Sequence, residues 1–138
     1  MTKFYDTCYL LNHISEIFNS LEPFYISFIT LQELENIKTS AHKDADIKFK
    51  ARQLLHMLSE HRDLYTIILN KSSKENSPIF EYIDNFNNDC KIISCAYDLN
   101  KTEKIIFYTD DLSCIHLAEE VGLTVNTSFK QEIRKWKN

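Results

Sequence analysis

The sequence predicts an α/β protein in which a mostly parallel sheet of four to five strands has helices on both faces. Short apolar runs alternate along the chain with segments of helical periodicity, as expected for strands joined by crossover helices. The 138 residues contain a single glycine, which argues against an all-β fold built on tight hairpins. The length and the 43% hydrophobic content indicate one domain, residues 1–138, with a well-buried core.

The first part of the chain predicts two strands, each followed by a helix. Residues 3–5 form a short apolar and aromatic strand, and residues 8–20 carry large apolar side chains at helical spacing. Pro23 precedes a second strand at residues 24–29. Residues 30–38 then continue as a helix.

The middle of the chain predicts a long helix, a third strand and a loop. Residues 44–61 place apolar side chains on one face with a period of 3.6, and the β-rich run at residues 64–69 indicates a strand. The polar residues 71–77 are typical of a loop. Ser77 followed by Pro78 predicts a helix start, because serine caps free N–H groups and proline fits the first helical position.

The last part of the chain predicts two further pairs of helix and strand. An apolar stripe over residues 86–99 indicates a helix, residues 105–108 form a buried strand, and residues 112–121 form another helix. Gly122 is expected to end that helix, since glycine readily adopts the left-handed conformation found there. The remaining predictions are a strand at residues 123–125 and a terminal helix at residues 128–136.

The composition excludes several classes of function. The net charge of −4 gives no overall basic field for nucleic acid, although a local basic patch stays open. The single glycine excludes the glycine-rich loops that bind phosphate. None of the four cysteines forms a CxxC pair, and no apolar run reaches 18 residues. We therefore expect a cytoplasmic protein with reduced thiols and no membrane segment.

Acidic residues stand where the predicted strands end or helices begin. Asp6 follows the first strand, and Glu33 lies one turn into the helix after the second. Asp110 and Asp111 follow the buried strand, while Asp89 begins the helical stripe. Because ligands bind outside the carboxyl ends of parallel strands, these carboxylates are expected to converge. Clustered carboxylates repel one another unless a cation is present, and Mg²⁺ prefers oxygen ligands, so a metal site is predicted.

Each acid taken alone also has a simpler explanation. Carboxylates near helix N-termini are stabilised by the helix dipole. Thr30 and Glu33 have the spacing of a capping box, in which the two side chains satisfy N–H groups reciprocally. On this interpretation the acids are helix caps.

Four segments together resemble the motifs of the PIN-domain nucleases. They are FYDTCYLL at residues 4–11, TLQELENIK at 30–38, NDCKIISCA at 88–96, and YTDD at 108–111 continuing through AEEVGL at 118–123. Their order and their strand or helix context match the family, and the resemblance extends from residue 4 to about residue 125. It covers nearly the whole chain.

The resemblance implies a three-layer α/β/α sandwich and a nuclease that depends on Mg²⁺ or Mn²⁺ and usually acts on RNA. The implied metal ligands are Asp6, Glu33, Asp89 and Asp111, with Asp6 at the centre. Thr109 would orient a water or a phosphate through its hydroxyl. Asp110 stands where the family often has Asn, so the choice between Asp110 and Asp111 as the metal-facing residue stays open.

Two positions depart from the family pattern. Cys90 stands where the family often has a second acid after the third-motif Asp. Leu112 and Ser113 stand where a further acid would follow the fourth motif. Both departures would weaken a second metal site, so one metal ion and two metal ions both remain open.

The resemblance also implies partners. Small PIN proteins include VapC-like toxins, whose partner is an antitoxin protein, RNA-processing enzymes, and PhoH-type PIN domains that precede an ATPase module. PIN relatives often form homodimers. RNA would meet basic residues, although these also fit ordinary solvated helix faces. They are Lys38, Lys43, Lys48, Lys50 and Arg52, with Lys130, Arg134, Lys135 and Lys137 near the C-terminus.

Other functions are compatible with the acidic residues. A PIN-like interaction module without activity, or a nuclease acting on DNA or flap substrates, fits the same motifs. A phosphoacceptor domain fits less well, because the strand at residues 64–69 ends at Asn70 and not at an aspartate. A phosphatase of the haloacid dehalogenase type would need Asp-x-Asp, whereas Asp6 is followed by Thr7 and Cys8.

Overall fold

A computed structural model describes residues 1–69 and 78–128 of the chain. At its centre lies a five-stranded sheet in which every pair of neighbours is parallel, with the order β3-β2-β1-β4-β5. The strands are β1 (Thr2–Tyr5), β2 (Phe24–Ser27), β3 (Tyr65–Ile68), β4 (Ile105–Tyr108) and β5 (Thr124–Asn126). The prediction of a mostly parallel sheet of four to five strands is confirmed.

Helices connect the strands and cover both faces of the sheet. They are α1 (Thr7–Asn12), α2 (Ile14–Ser20), α3 (Phe28–Thr39), α4 (Ala45–Glu60), α5 (Pro78–Glu81), α6 (Asn88–Asn100) and α7 (Leu112–Glu120). Such crossovers are required because parallel strands cannot be joined by a tight turn. The three-layer α/β/α arrangement is confirmed. Among the described residues, no helix has both the length and the apolar character needed to cross a membrane.

Two hydrophobic cores lie on opposite faces of the sheet. Phe4 and Phe107 contribute to the core under α5, α6 and α7, where Ile92 is fully buried. Phe24 and Ile26 contribute to the core under α1, α2 and α4. The strands therefore bury side chains on both faces, which explains why they appear in the sequence as continuous apolar runs.

The helix predicted at residues 8–20 is broken into α1 and α2 at His13. This residue leaves the helical conformation, with φ −133° and ψ 33°. Its Nε2 atom lies 2.7 Å from a carboxylate oxygen of Asp110. The prediction of one continuous helix was therefore wrong. Local periodicity gives no information about a contact with a residue 97 positions away.

The second strand ends earlier than predicted, and α3 begins at Phe28. The Ser27 hydroxyl accepts a hydrogen bond from the Ile29 N–H at 3.1 Å and so caps the helix. Thr30 therefore lies inside α3, fully buried, and does not form the capping box considered for Thr30 and Glu33. Glu33 is thereby left available for another role.

The ends of the later helices follow from their caps. Helix α6 begins at Asn88, two residues inside the predicted stripe, because the Asn87 side chain accepts from the Cys90 N–H at 3.0 Å. Gly122 ends α7 as predicted, with a φ of 90°. The loop at 71–77, the Ser77 cap and the terminal helix at 128–136, apart from residue 128, lie outside the described residues.

Candidate active site

The acidic residues gather where the sheet changes direction. From β1 the chain runs outward through β2 to β3, and β4 then returns to the other side of β1. Neighbouring strands β1 and β4 thus form the switch point at which ligands bind in open α/β sheets. Asp6 follows β1, and its N–H donates to the Tyr108 carbonyl at 3.0 Å. Residues 109–111 follow β4 at the same edge.

Asp6 lies at the centre of this edge and is 2% exposed. Its Oδ2 atom accepts hydrogen bonds from the Thr109 hydroxyl at 2.6 Å and from the Cys8 thiol at 3.2 Å. Burial raises the pKa of Asp6 although these bonds lower it, and the nearby Asp111 carboxylate raises it further. The charged form of Asp6 is therefore costly in the absence of a cation.

Glu33 and Asp89 approach Asp6 from two helices. The Thr7 hydroxyl donates to Glu33 Oε1 at 2.7 Å and lies 3.0 Å from the Thr30 hydroxyl. Burial raises the pKa of Glu33, and the carboxylates of Asp89 and Asp6 raise it further. Asp89 lies in the first turn of α6, and its pKa is raised by burial and then by its acidic neighbours.

Asp111 completes the group from the start of α7. Its Oδ1 atom accepts from the Ser113 N–H at 2.8 Å and the Cys114 N–H at 3.3 Å, so it caps the helix. One of its carboxylate oxygens lies within 4.8 Å of both an Asp89 oxygen and the Cys114 sulfur. Asp111 therefore both caps α7 and belongs to the acidic cluster.

The Asp110 carboxylate bonds to residues outside the cluster. Its Oδ2 atom contacts His13 Nε2 at 2.7 Å, and its Oδ1 atom accepts from the Thr127 hydroxyl at 3.0 Å and the Ser128 N–H at 2.9 Å. Burial raises the pKa of Asp110, but the hydrogen bonds from these three residues lower it more, so the net shift is downward. Asp110 thus ties the segment after β5 to the segment after β4.

Thr109 is fully buried, and its hydroxyl both donates and accepts a hydrogen bond. It donates to Asp6 and accepts from the Asp111 N–H at 3.1 Å. This geometry fits a residue that positions two carboxylates, whereas the resemblance assigns its hydroxyl to a water or a phosphate. Oxygens of Asp89 and Asp111 lie within 4.8 Å of each other. Asp6 and Glu33 are close enough to this pair for the carboxylates to raise one another's pKa values, so the group comprises Asp6, Glu33, Asp89 and Asp111.

We expect the neighbours Asp110 and Asp111 to respond differently to the same change. Asp111→Asn retains a good helix cap but should weaken Mn²⁺ binding at least tenfold, because a carboxylate ligand is lost. Asp110→Asn should leave Mn²⁺ binding within about twofold while lowering the free energy of unfolding by about 1–3 kcal/mol, since a charged acceptor is removed from a partly buried network. Calorimetric titration with Mn²⁺ and urea unfolding test both; the reverse pattern would assign the metal-facing role to Asp110.

Cys114 was not predicted as a site residue, but it lies beside two of the carboxylates. This residue is 3% exposed, and its sulfur faces Asp89 and Asp111. Burial raises the pKa of the thiol, and the surrounding carboxylates raise it further, so the thiol is neutral at physiological pH. Its position three residues after Asp111 on a helix is the signal that could have revealed it, because residues i and i+3 share a helix face.

The four carboxylates suit a hard divalent cation. Each of Asp6, Glu33 and Asp89 has a raised pKa caused by burial and by acidic neighbours. In the described part of the chain, the lysines that form ion pairs do so with acids outside this group. Oxygen donors with uncompensated negative charge are what Mg²⁺ and Mn²⁺ bind in proteins.

Comparisons with known proteins identify the fold and the family of the chain. The fold is similar to a solved structure of VapBC-1 from nontypeable Haemophilus influenzae, with a TM-score of 0.55 and 17% sequence identity over 92% of this chain and 98% of that chain. At this identity the similarity concerns the fold. A search of curated proteins finds no match. A family model described as PIN domain matches residues 4–128. The chain therefore belongs to the PIN domain family.

Proposed function

We propose that this protein is a divalent-metal-dependent endoribonuclease that uses Mg²⁺ or Mn²⁺. The observation that carries the proposal is the convergence of four carboxylates around the buried Asp6, three of them with pKa values raised by burial and mutual repulsion. Such a cluster costs stability unless it serves a cation. Membership of the PIN domain family supports the nuclease reading, and the resemblance to PIN-domain nucleases supports RNA as the substrate.

The side chains of the site would act by holding metal and phosphate in one arrangement. The metal ion, when bound, would polarise the phosphodiester and make a bound water more acidic. Asp6, Glu33, Asp89 and Asp111 would supply its ligands. Hydrogen bonds from Thr109 to Asp6 and from Thr7 to Glu33 restrict two of these carboxylates before any ligand arrives. Hydrolysis of this kind needs no nucleophilic side chain, which fits a site made of carboxylates.

The biological setting that we propose is a cytoplasmic toxin held inactive by an antitoxin protein. The fold likeness to VapBC-1 supports this over an RNA-processing role. All four cysteines are free, as expected in a reducing compartment. A homodimer is part of the same proposal, since PIN relatives often dimerise. Slower growth of cells expressing the wild type than of cells expressing Asp6→Asn would support the toxin role; equal growth would contradict it.

The nuclease proposal is tested with a labelled single-stranded RNA of mixed sequence. We expect cleavage with Mn²⁺ or Mg²⁺, and none with EDTA. The carboxylates and the phosphate are both negatively charged, so the phosphate can bind at the site only with a cation between them. Parallel reactions contain single-stranded DNA and a flap substrate. Metal-dependent cleavage of DNA alone would replace the ribonuclease assignment. No cleavage of any substrate, together with no Mn²⁺ binding by calorimetry, would leave an interaction module whose acids cap helices.

A further inference from the structure

A groove of about 510 Å³ lies between one face of α3 and the first residue of α6. Its lining residues are Phe28, Leu31, Gln32, Glu35, Asn36 and Asn88. The α3 residues recur three or four positions apart, so they share one face of that helix. None of the four carboxylates lines this groove.

Two residues that line the groove are adjacent in sequence to two residues of the acidic site. Gln32 directly precedes Glu33, and Asn88 directly precedes Asp89. Asp89 is close enough to Glu33 to raise the pKa of Glu33. A single strand whose phosphate lies at the carboxylates therefore carries an adjacent nucleoside within reach of the groove.

The groove has the chemistry of a base-binding surface and not of a phosphate-binding one. Phe28 is an aromatic residue with 46% of its surface exposed, and aromatic side chains stack on nucleobases. The amides of Gln32 and Asn88 can both donate and accept hydrogen bonds. Among the described lining residues the charged one is Glu35, whose Oε2 atom pairs with Lys38 at 3.0 Å. The described lining residues include no positively charged side chain that could bind a phosphate.

We infer that this groove binds the nucleobase next to the cleaved phosphodiester, with Phe28 stacking on the base. The inference rests on the proposed nuclease function and specifies its substrate contacts. Glu35 accepts a hydrogen bond from an exocyclic amino group but would repel a carbonyl at the same place. The groove therefore prefers cytosine over uracil, because cytosine has an exocyclic amino group where uracil has a carbonyl.

The test measures binding and does not depend on cleavage. Labelled RNA octamers of cytosine, of uracil and without bases are titrated with Asp6→Asn protein, and anisotropy reports binding. Adding Phe28→Leu should weaken binding of the cytosine octamer about tenfold and leave the abasic octamer unchanged, because only stacking is lost. Phe28→Tyr should restore binding. Phe49→Leu is the matched control, since Phe49 is 58% exposed on α4, outside the lining.

Further outcomes decide the specificity and separate the two proposals. Glu35→Gln should reduce the preference for cytosine over uracil several-fold. Equal effects of Phe28→Leu and Phe49→Leu, or equal loss with the abasic octamer, would overturn the inference. Conversion of a dimer to a monomer by Phe28→Leu would assign the groove to a second copy of the chain and also overturn it. Phe28-dependent binding by a wild type that cuts no RNA would retain the groove and reject the nuclease proposal.

Discussion

Replacing Asp6 with asparagine is expected to lower the rate of metal-dependent RNA cleavage by about 10³-fold, equivalent to about 4 kcal/mol of transition-state stabilisation. Asparagine preserves the size of the side chain and can accept from Thr109, but it removes the central negative charge. The rate is measured under single-turnover conditions with saturating Mn²⁺. The effect should appear in the rate at saturating protein, because Asp6 would hold the metal ion at the reacting phosphate and would not make the distant RNA contacts.

A second Asp→Asn substitution, at a position outside the cluster, is the control. Asp98 lies on α6 near Lys101, away from the cluster, and Asp98→Asn should leave the rate within about twofold. Without metal, Asp6→Asn should be at least as stable as the wild type, since the substitution relieves the repulsion from Asp111. An Asp6→Asn protein that is folded and retains a tenth or more of the rate would contradict the central role of Asp6.

The metal-free wild type is expected to lose stability as the pH rises, and Mn²⁺ is expected to reverse the loss. In the folded state the pKa values of Asp6 and Asp89 are raised above 3.8, and that of Glu33 above 4.5, largely by burial. Between the unfolded and folded values the native state holds more protons, so the free energy of unfolding falls with increasing pH in this interval. These groups favour the fold when protonated and oppose it when charged.

Binding of a cation to the native state should offset this cost. At a Mn²⁺ concentration about 100 times its dissociation constant the gain is about 2.7 kcal/mol. For a domain of this size that gain raises Tm by roughly 5–10 °C. Thermal unfolding at several pH values with EDTA or Mn²⁺ measures both effects. Equal Mn²⁺ responses of the wild type and Asp6→Asn would show that the ion acts elsewhere on the protein.

Local patterns were sufficient to predict the sheet but not the boundaries that depend on tertiary contacts. The strand at residues 105–108 is identical in sequence prediction and structure, because a buried parallel strand is a continuous apolar run. His13, where the helix breaks, contacts Asp110, which is far away in sequence. The early start of α3 depends on the Ser27 cap, in a segment whose apolar residues equally suit a strand.

The same distinction holds for the candidate site. The strand-end rule indicated the acids, because topology fixes where parallel strands end. It could not separate Asp110 from Asp111, since adjacent residues in a loop differ only in the direction of their side chains. The hydrogen bonds from Thr127 and Ser128 that occupy Asp110 come from beyond β5. The pairing of Thr7 with Glu33 likewise joins elements that the sequence separates by 26 positions.

The hydrogen bond from Thr109 to Asp6 spans 103 positions of the chain. During synthesis, Asp6 is made well before Thr109 and has only its close neighbour Cys8 as a side-chain donor until β4 has been made and has inserted beside β1. A nascent chain or a fragment lacking residues 109–111 would carry isolated acids and would cut nothing. In the toxin role proposed above, the fold itself would delay activity until residues 109–111 have been made, which would give a partner made at the same time an interval in which to bind.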